Sequence, residues 1–383
     1  MFHQCETTEV FFNTVHQVKF ILLLLTITLK LYALVPDTLV VKKDSLASKG
    51  SLFIIPFLTY QQETSWAPGF AYGCYFKSKD ISRISSVSGS ISYTFLNQSI
   101  INVTPKIFLG NNKWYLYSNF NLRNYPDLYF GIGNQPNNTI LSYTNRNISL
   151  TLQPQYIISK TFFVGMELGF NTNNVKVDPE NERKMLDAVA LYGVSGWEPY
   201  HITSVGLTAA YDNRDNQFYP QQGGFSKLVI SGSKAGNLSS YSYLATTLDI
   251  RKYWRIATNH VLACQLYYDQ IFGQNEVPFQ TLGTIGGRDL FRGFRQGMYR
   301  DKIMYVLQTE YRFPIYKRLK GSVFASTGDV LNTGNASITP LKVAFGGGLR
   351  YRLNDARVHL RLDVAQNNFG DKLQVYITAT EAF

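Results

Sequence analysis

From residue 51 to residue 383 the apolar residues recur at every second position, in runs of about ten. In IMYVLQTEYRF, Ile303, Tyr305, Leu307, Thr309, Tyr311 and Phe313 share one side, and Gln308, Glu310 and Arg312 the other. RVHLRLDV sets Val358, Leu360, Leu362 and Val364 against Arg357, His359, Arg361 and Asp363. KLQVYITA sets Leu373, Val375, Ile377 and Ala379 against Lys372, Gln374, Tyr376 and Thr378. Successive side chains alternate across a strand, so period two with one apolar face predicts a strand half in grease.

A soluble sandwich also alternates, but three features favour a closed transmembrane barrel. The runs exceed the usual strand of about five or six residues. Aromatics such as Tyr311, Phe313 and Tyr351 gather at strand ends, as in a membrane-interface girdle. The chain also reaches Phe383 at the end of a strand. Hydrophobic residues make up 45% and charged residues only 16%, against about a quarter in soluble domains. No run after residue 33 offers the eighteen or more apolar residues of a spanning helix. A barrel resolves this, because its lipid face uses alternate residues only.

The fold expected is all-β, a transmembrane antiparallel barrel of sixteen strands over 51–383. The strands fall near 51–61, 69–77, 86–96, 99–109, 113–123, 143–157, 161–172, 201–212, 223–234, 241–255, 260–272, 303–315, 319–327, 341–353, 356–366 and 372–383. Short links alternate with long ones at 124–141, 173–200, 273–302 and 328–340. With both ends of the barrel sequence in the periplasm, the long links lie outside. Leu307, Leu360, Leu373, Cys74 and Cys264 should face lipid, and Gln308, Arg361 and Gln374 the lumen. Pro56, with no N–H to donate, marks the first strand as a weakly paired edge, so the seam between the first and last strands should be weak.

Ahead of the barrel, FILLLLTITL (Phe20–Leu29) is too short to span a bilayer. Lys19 before it and Ala33 after it give the order of a secretory signal peptide over 1–33, with a linker over 34–50. The long polar stretch before Lys19 is consistent with a later start codon.

The net charge of +11 comes without a basic stripe, which argues against nucleic acid and for basic lumen and rim positions beside lipid headgroups. The histidines and cysteines lack metal-ligand spacing, so neither a metal nor another cofactor is expected. No phosphate loop, nucleophile elbow or dinucleotide fingerprint is present. Asp212 and Asp215 flank Arg214 in a segment closed by Pro220 and Gly223, where turn capping explains them better than catalysis. The chain is read as a non-enzyme.

The link after strand eleven reads GTIGGRDLFRGFRQGMYRD (Gly283–Asp301) and leads into IMYVLQTEYRFPI. Its glycine pair Gly286-Gly287, then Arg292-Gly293-Phe294, then Tyr299-Arg300-Asp301 and Glu310–Pro314, resemble the BamA/TamA superfamily of outer-membrane assembly barrels, and more narrowly their bacterial surface antigen domain. YDNRDNQFYPQQGGF (Tyr211–Phe225) looks like that family's periplasmic turn, and YPDLYFGIG (Tyr125–Gly133) is similar to stretches in its smaller members. The resemblance spans 51–383. Physically, the glycines let a long loop fold tightly enough to tuck into a wide barrel, and a guanidinium carried inside needs acceptors.

The resemblance implies that Arg292 lies in the lumen against an aromatic and an acid of nearby strands. Phe324 matches the aromatic; the acid expected two residues later is Ser326. Glu310 and Asp363 are alternatives of lumen parity, and Asp329, of opposite parity, fits the rim. A second departure is that 34–50 leaves no room for the periplasmic POTRA modules of the larger relatives. By resemblance the function is assisted insertion or translocation of proteins or lipids at the outer membrane, with outer-membrane lipids around the barrel and nascent outer-membrane proteins or a separate periplasmic protein as partners. The alternative is a pore or structural surface barrel that keeps the fold without that activity.

Overall fold

The computed structural model describes residues 51–383 apart from 62–63, 77–84, 112, 136–139, 193, 274–276, 333–339, 354–356 and 380. The expectations for 1–33 and 34–50 lie outside the described residues.

Sixteen antiparallel strands close into one barrel. In chain order they are β1 (Ser51–Gln61), β2 (Ser65–Phe76), β3 (Ser85–Tyr93), β4 (Ser99–Leu109), β5 (Trp114–Tyr129), β6 (Leu141–Ile157), β7 (Phe162–Val177), β8 (Tyr200–Asp212), β9 (Gly223–Ser233), β10 (Tyr243–Ala257), β11 (His260–Phe272), β14 (Ile303–Tyr316), β15 (Leu319–Leu331), β16 (Lys342–Arg352), β17 (His359–Asn367) and β18 (Gln374–Ala379). The two remaining strands, β12 (Gly283–Ile285) and β13 (Tyr299–Asp301), form a separate hairpin inside the link that joins β11 to β14. That link folds inward, and Phe291, Arg292 and Phe294 at its centre are fully buried.

The period-two pattern becomes two faces. Leu307 on β14, Leu207 on β8, Ile54 on β1 and Phe345 on β16 stand exposed toward the bilayer, whereas their neighbours Gln308 and Thr208 are buried toward the lumen. Leu360, Cys74 and Cys264 share the lipid parity, Leu373 is exposed just ahead of β18, and Arg361 and Gln374 are buried on the lumen side. The two cysteines are free and sit on the non-adjacent strands β2 and β11. Trp114, Tyr156, Tyr211, Trp254 and Tyr316 are exposed at the end where the short turns lie, an aromatic girdle on the lipid side.

The strand ends depart from the sequence pattern in several places; β2 begins four residues early at Ser65, and β15 runs four residues on to Leu331, into the link expected over 328–340. β5 runs on to Tyr129 and β7 to Val177, through segments expected to be loops. The reason is a cap at the long-loop end. Tyr129, Tyr143 and Val175 turn lumenward and pack with Trp197 and Phe279 in one buried cluster. Phe279 sits 4.9 Å from Tyr129 and 4.6 Å from Trp197, ring centre to ring centre. The connection after β7 contributes Trp197 and carries a helix, α1 (Glu182–Tyr192), whose preceding 3-10 turn is tied to β6 through Asn181 and Ser142. β3 ends at Tyr93, where a tight turn over 94–98 puts Asn97 at φ 59°.

A further departure is at the barrel's closure. The last strand was expected over 372–383, but β18 ends at Ala379, and Glu381 and Phe383 leave the wall for the lumen. Among the described residues, the register of β1 with β18 is a single pair, Tyr60↔Ile377, whereas β1 and β2 share an eleven-pair ladder from Ser51↔Tyr75 to Gln61↔Ser65. Pro56 lies in β1 on the lipid side, opposite Phe70 of β2.

Candidate functional site

Cross-strand register lays the lumen face of β14–β18 out in rows. One row reads Glu310, Phe324, Gly346, Ala365, Gln374; the next reads Arg312, Ser322, Gly348, Asp363, Tyr376. Residues directly opposite on neighbouring strands lie within about 5.5 Å of each other, so acids and arginines on these rows can meet without any loop.

The tip of the β11–β14 link descends onto these rows. Arg292 donates from Nη2 to Glu310 Oε2 (2.7 Å) and from Nη1 to Asp363 Oδ2 (2.6 Å). Its guanidinium carbon stands 3.5 Å from the centre of the Phe324 ring. A planar guanidinium can bridge two carboxylates and still present a face to a ring, which an ammonium cannot do. All these groups are fully buried or nearly so. Asp329 does not join them. It pairs with Lys342 (2.5 Å), which also stands 4.5 Å from the Tyr299 ring of the β12–β13 hairpin. The parity of Asp329 turns it away from the row of Phe324, toward the outer end of β15. Ser326 contributes no charge, so the acids come from β14 and β17 instead of β15.

The cluster is wider than the sequence indicated. Arg350 donates to Asp363 (2.5 Å) and to Glu381 (2.8 Å) and lies 3.3 Å from Glu310. Arg312 donates to the other Glu310 oxygen at 2.8 Å. Arg361 reaches Asp289 on the loop at 2.8 Å, with Asp363 3.5 Å away. Arginines 292, 312, 350 and 361 therefore meet the buried carboxylates of Glu310, Asp363 and Glu381 and the half-exposed one of Asp289. Charges buried this deeply persist only with such pairing. Lumen parity was the signal for Arg312 and Arg361; that Arg350 joins them depends on which strands are adjacent.

Glycines make the space. A Cβ on Gly348 would lie 2.0 Å from Asp363 Oδ1, and one on Gly346 would lie 2.6 Å from the Phe324 ring. The FGGGLR run of β16 is thus a notch for the ion cluster. Gly293, at φ +107°, brings the loop backbone against Ala344. Its N–H donates to the Tyr376 hydroxyl (3.1 Å), and its carbonyl accepts from Asn367 (2.9 Å). Phe294 stacks near Phe291 and Tyr299 in a second buried cluster. Gly286 and Gly287, both at positive φ, turn the chain at the end of β12.

At the short-turn end, the ten-residue link 213–222 folds under the barrel. Asp212 and Arg214 form an ion pair at 2.7 Å. Asp215 accepts the backbone N–H groups of Gln221 (2.7 Å) and Gln222 (3.2 Å) and pairs with Arg357 (3.0 Å). Burial alone would raise the Asp215 carboxyl, but these two N–H groups and Arg357 hold it below its ordinary value. Pro220 is buried and Gly223, at φ +97°, closes the turn. The turn delivers Tyr219, fully buried, to within 4.4 Å of the His359 ring and 5.3 Å of the Arg312 guanidinium. Tyr219 drew no attention in the sequence, since its role depends on the turn folding inward.

Comparison with solved structures finds the same barrel. BamA of Haemophilus ducreyi lacking POTRA domains 1–3 superposes with a TM-score of 0.60 at 14% identity, covering 87% of this chain and 70% of that one. CdiB of Acinetobacter baumannii gives 0.54 at 11% identity, over 86% of this chain and 59% of that one. CdiB of Escherichia coli gives 0.55 at 10% identity, over 85% and 62%. The chain thus spans about three-fifths of the length of either CdiB. No curated protein matches it in sequence. The family model described as the Omp85 superfamily domain matches residues 82–382, and with that match and the barrel described above the chain belongs to the Omp85 superfamily.

Proposed function

We propose that this barrel resides in the bacterial outer membrane, with its short turns in the periplasm, and assists insertion or translocation of proteins or lipids there by opening between β1 and β18. The observation that carries the reading is an asymmetry around the closing strands. The described β1–β18 register is one pair. On its other side, β18 has six register pairs with β17, and Tyr376 is bonded to the loop tip at Gly293. A strand fastened from within and weakly fastened at its outer edge is poised to part at that edge. Arg292 acts as the latch: while its guanidinium joins β14 to β17 through Glu310 and Asp363, the wall that carries β18 keeps its shape. Phe324 seats the guanidinium, and Gly293 and Phe294 fix the tip. The partners on this reading are outer-membrane lipids and nascent outer-membrane proteins or a separate periplasmic protein. No chemical step is required of any residue.

The test is a disulfide across the seam. Tyr60→Cys with Ile377→Cys places thiols at the described register pair. In cells depleted of the native protein, the oxidised variant should fail to restore the outer-membrane protein inventory, and reduction should restore it. Cells that assemble a normal outer membrane with the cross-link intact would sink the proposal and leave a pore or structural barrel.

A further inference from the structure

The segment after β18 behaves like a bound peptide. A strand that simply continued would stay on the β17 ladder, whose last described pair is Leu360↔Ala379. Instead, Glu381 and Phe383 cross the lumen floor to strands on the far side of the charged wall. The Phe383 ring, 3% exposed, is buried with Tyr253 of β10 and Val261 and Ala263 of β11. The Phe383 carbonyl oxygen accepts from Arg312 Nη2 at 3.0 Å. Two residues earlier, a Glu381 carboxylate oxygen accepts from Arg350 Nε at 2.8 Å. Its other oxygen lies 3.6 Å from His359 Nδ1.

These are the parts of a recognition site: an apolar pocket sized for a ring, an arginine on the adjacent carbonyl and a second arginine on an acid two residues back. Every receptor group belongs to the barrel wall, and Arg312 and Arg350 have wall partners of their own in Glu310 and Asp363. We infer that the lumen floor is a peptide-binding site for an acidic residue placed two positions before an aromatic one, occupied here in cis by Glu381 and Phe383. Nothing in that geometry depends on whether the seam opens. A short tether holds a cis ligand at an effective concentration on the order of millimolar, so a peptide supplied in trans meets a competitor until the cis segment is weakened.

The test uses the full chain in detergent micelles. The probe is a fluorescent, amide-ended tetrapeptide Thr-Glu-Ala-Phe, and the control is its scramble Phe-Ala-Glu-Thr, of equal composition and so of similar affinity for micelles. Anisotropy should show saturable binding of the probe to the Glu381→Gln/Phe383→Ala variant, at least about tenfold tighter than to the wild type, with no saturable binding of the scramble. If circular dichroism shows no folded barrel for that double variant, Phe383→Ala alone is measured by the same criterion. Absence of saturable binding, equal binding of probe and scramble, or equal affinity in variant and wild type would each overturn the assignment, leaving the segment as a fixed anchor.

Discussion

The lumen has two walls of opposite design. Along β14–β18 the inward side chains include closely packed arginines and acids, buried and paired by a loop from above and a turn from below. Along β4–β7 the inward face carries ladders of asparagines, with Lys106, Arg123, Asp127 and Glu167 spread singly among them. Asn102 donates to both Asn119 and Asn121 (2.8 Å each), and Asn147 donates to Asn171 (2.8 Å) and Asn173 (3.2 Å). This asparagine wall runs into a lumen cavity of about 310 Å³ whose lining includes Asn119, Gln153, Glu167, Lys227 and Asp249. Charge demands partners, because an unpaired buried ion costs several kcal/mol. An amide that loses one partner has another nearby, and water can replace the rest. The charged wall therefore specifies one arrangement of strands and loop, while the asparagine wall tolerates change.

That contrast is broken most sharply at Asp363. Asp363→Ala takes an acceptor from both Arg292 and Arg350 and leaves Arg361 with Asp289 alone, so the cluster gains a net positive charge. A cost on the order of 3–5 kcal/mol is expected, read as a lower denaturant midpoint in micelles and rapid external proteolysis within 283–301. If Asp363→Ala unfolds like the wild type, the charged wall is no more specific than the asparagine one.

Arg292→Ala should cost less, about 2–3 kcal/mol, because Glu310 keeps Arg312 and Arg350 and Asp363 keeps Arg350. The barrel should remain folded while the loop becomes protease-sensitive. Arg292→Lys should restore only part of the protection, since an ammonium cannot reproduce the fork over Phe324. Full protection with lysine would mean that charge alone holds the loop. Gly348→Ala comes next, at about 1–3 kcal/mol, through the overlap of its Cβ with Asp363. On the asparagine wall, Asn147→Ala should cost about 1 kcal/mol or less. A larger loss there would erase the distinction between the walls.

The sequence carried these walls unequally. Parity alone placed Gln308, Glu310, Arg361 and Asp363 inside and Leu307 outside, because a strand fixes its faces locally. Phe324 entered through the family motif. Arg350, Gly348 and Tyr376 were not legible, since their roles need the register of strands and of a loop over fifty residues away. The ends of β5 and β7 were misjudged because segments rich in asparagine and proline look like loops until Phe279 and Trp197 supply a cap for them to join. β18 stops short of the alternating pattern for a similar reason: what ends it is Arg350 on β16 and an apolar pocket on β10 and β11, and alternation carries no trace of either.

The smallest effect lies outside the membrane, at the turn that carries Tyr219 to the charged wall. Asp215 has its carboxyl held below the ordinary 3.8 in the folded chain. The sign follows from linkage: a depressed acid stabilises above its unfolded value and loses that contribution as pH falls through its folded value. Wild type should therefore exceed Asp215→Ala in stability at neutral pH, and the gap should narrow below about pH 4 as the carboxyl protonates. The two backbone N–H groups share one carboxylate oxygen, which an amide side chain also provides, so Asp215→Asn should retain most of the gap with a flatter pH profile. Arg357 is more than a third exposed on its side of the pair, so Arg357→Ala should change stability by well under about 1 kcal/mol. Denaturant midpoints at neutral and acid pH for these three variants decide the matter. A gap between wild type and Asp215→Ala that widened in acid would reverse the sign and show that the turn is held by something other than this carboxylate.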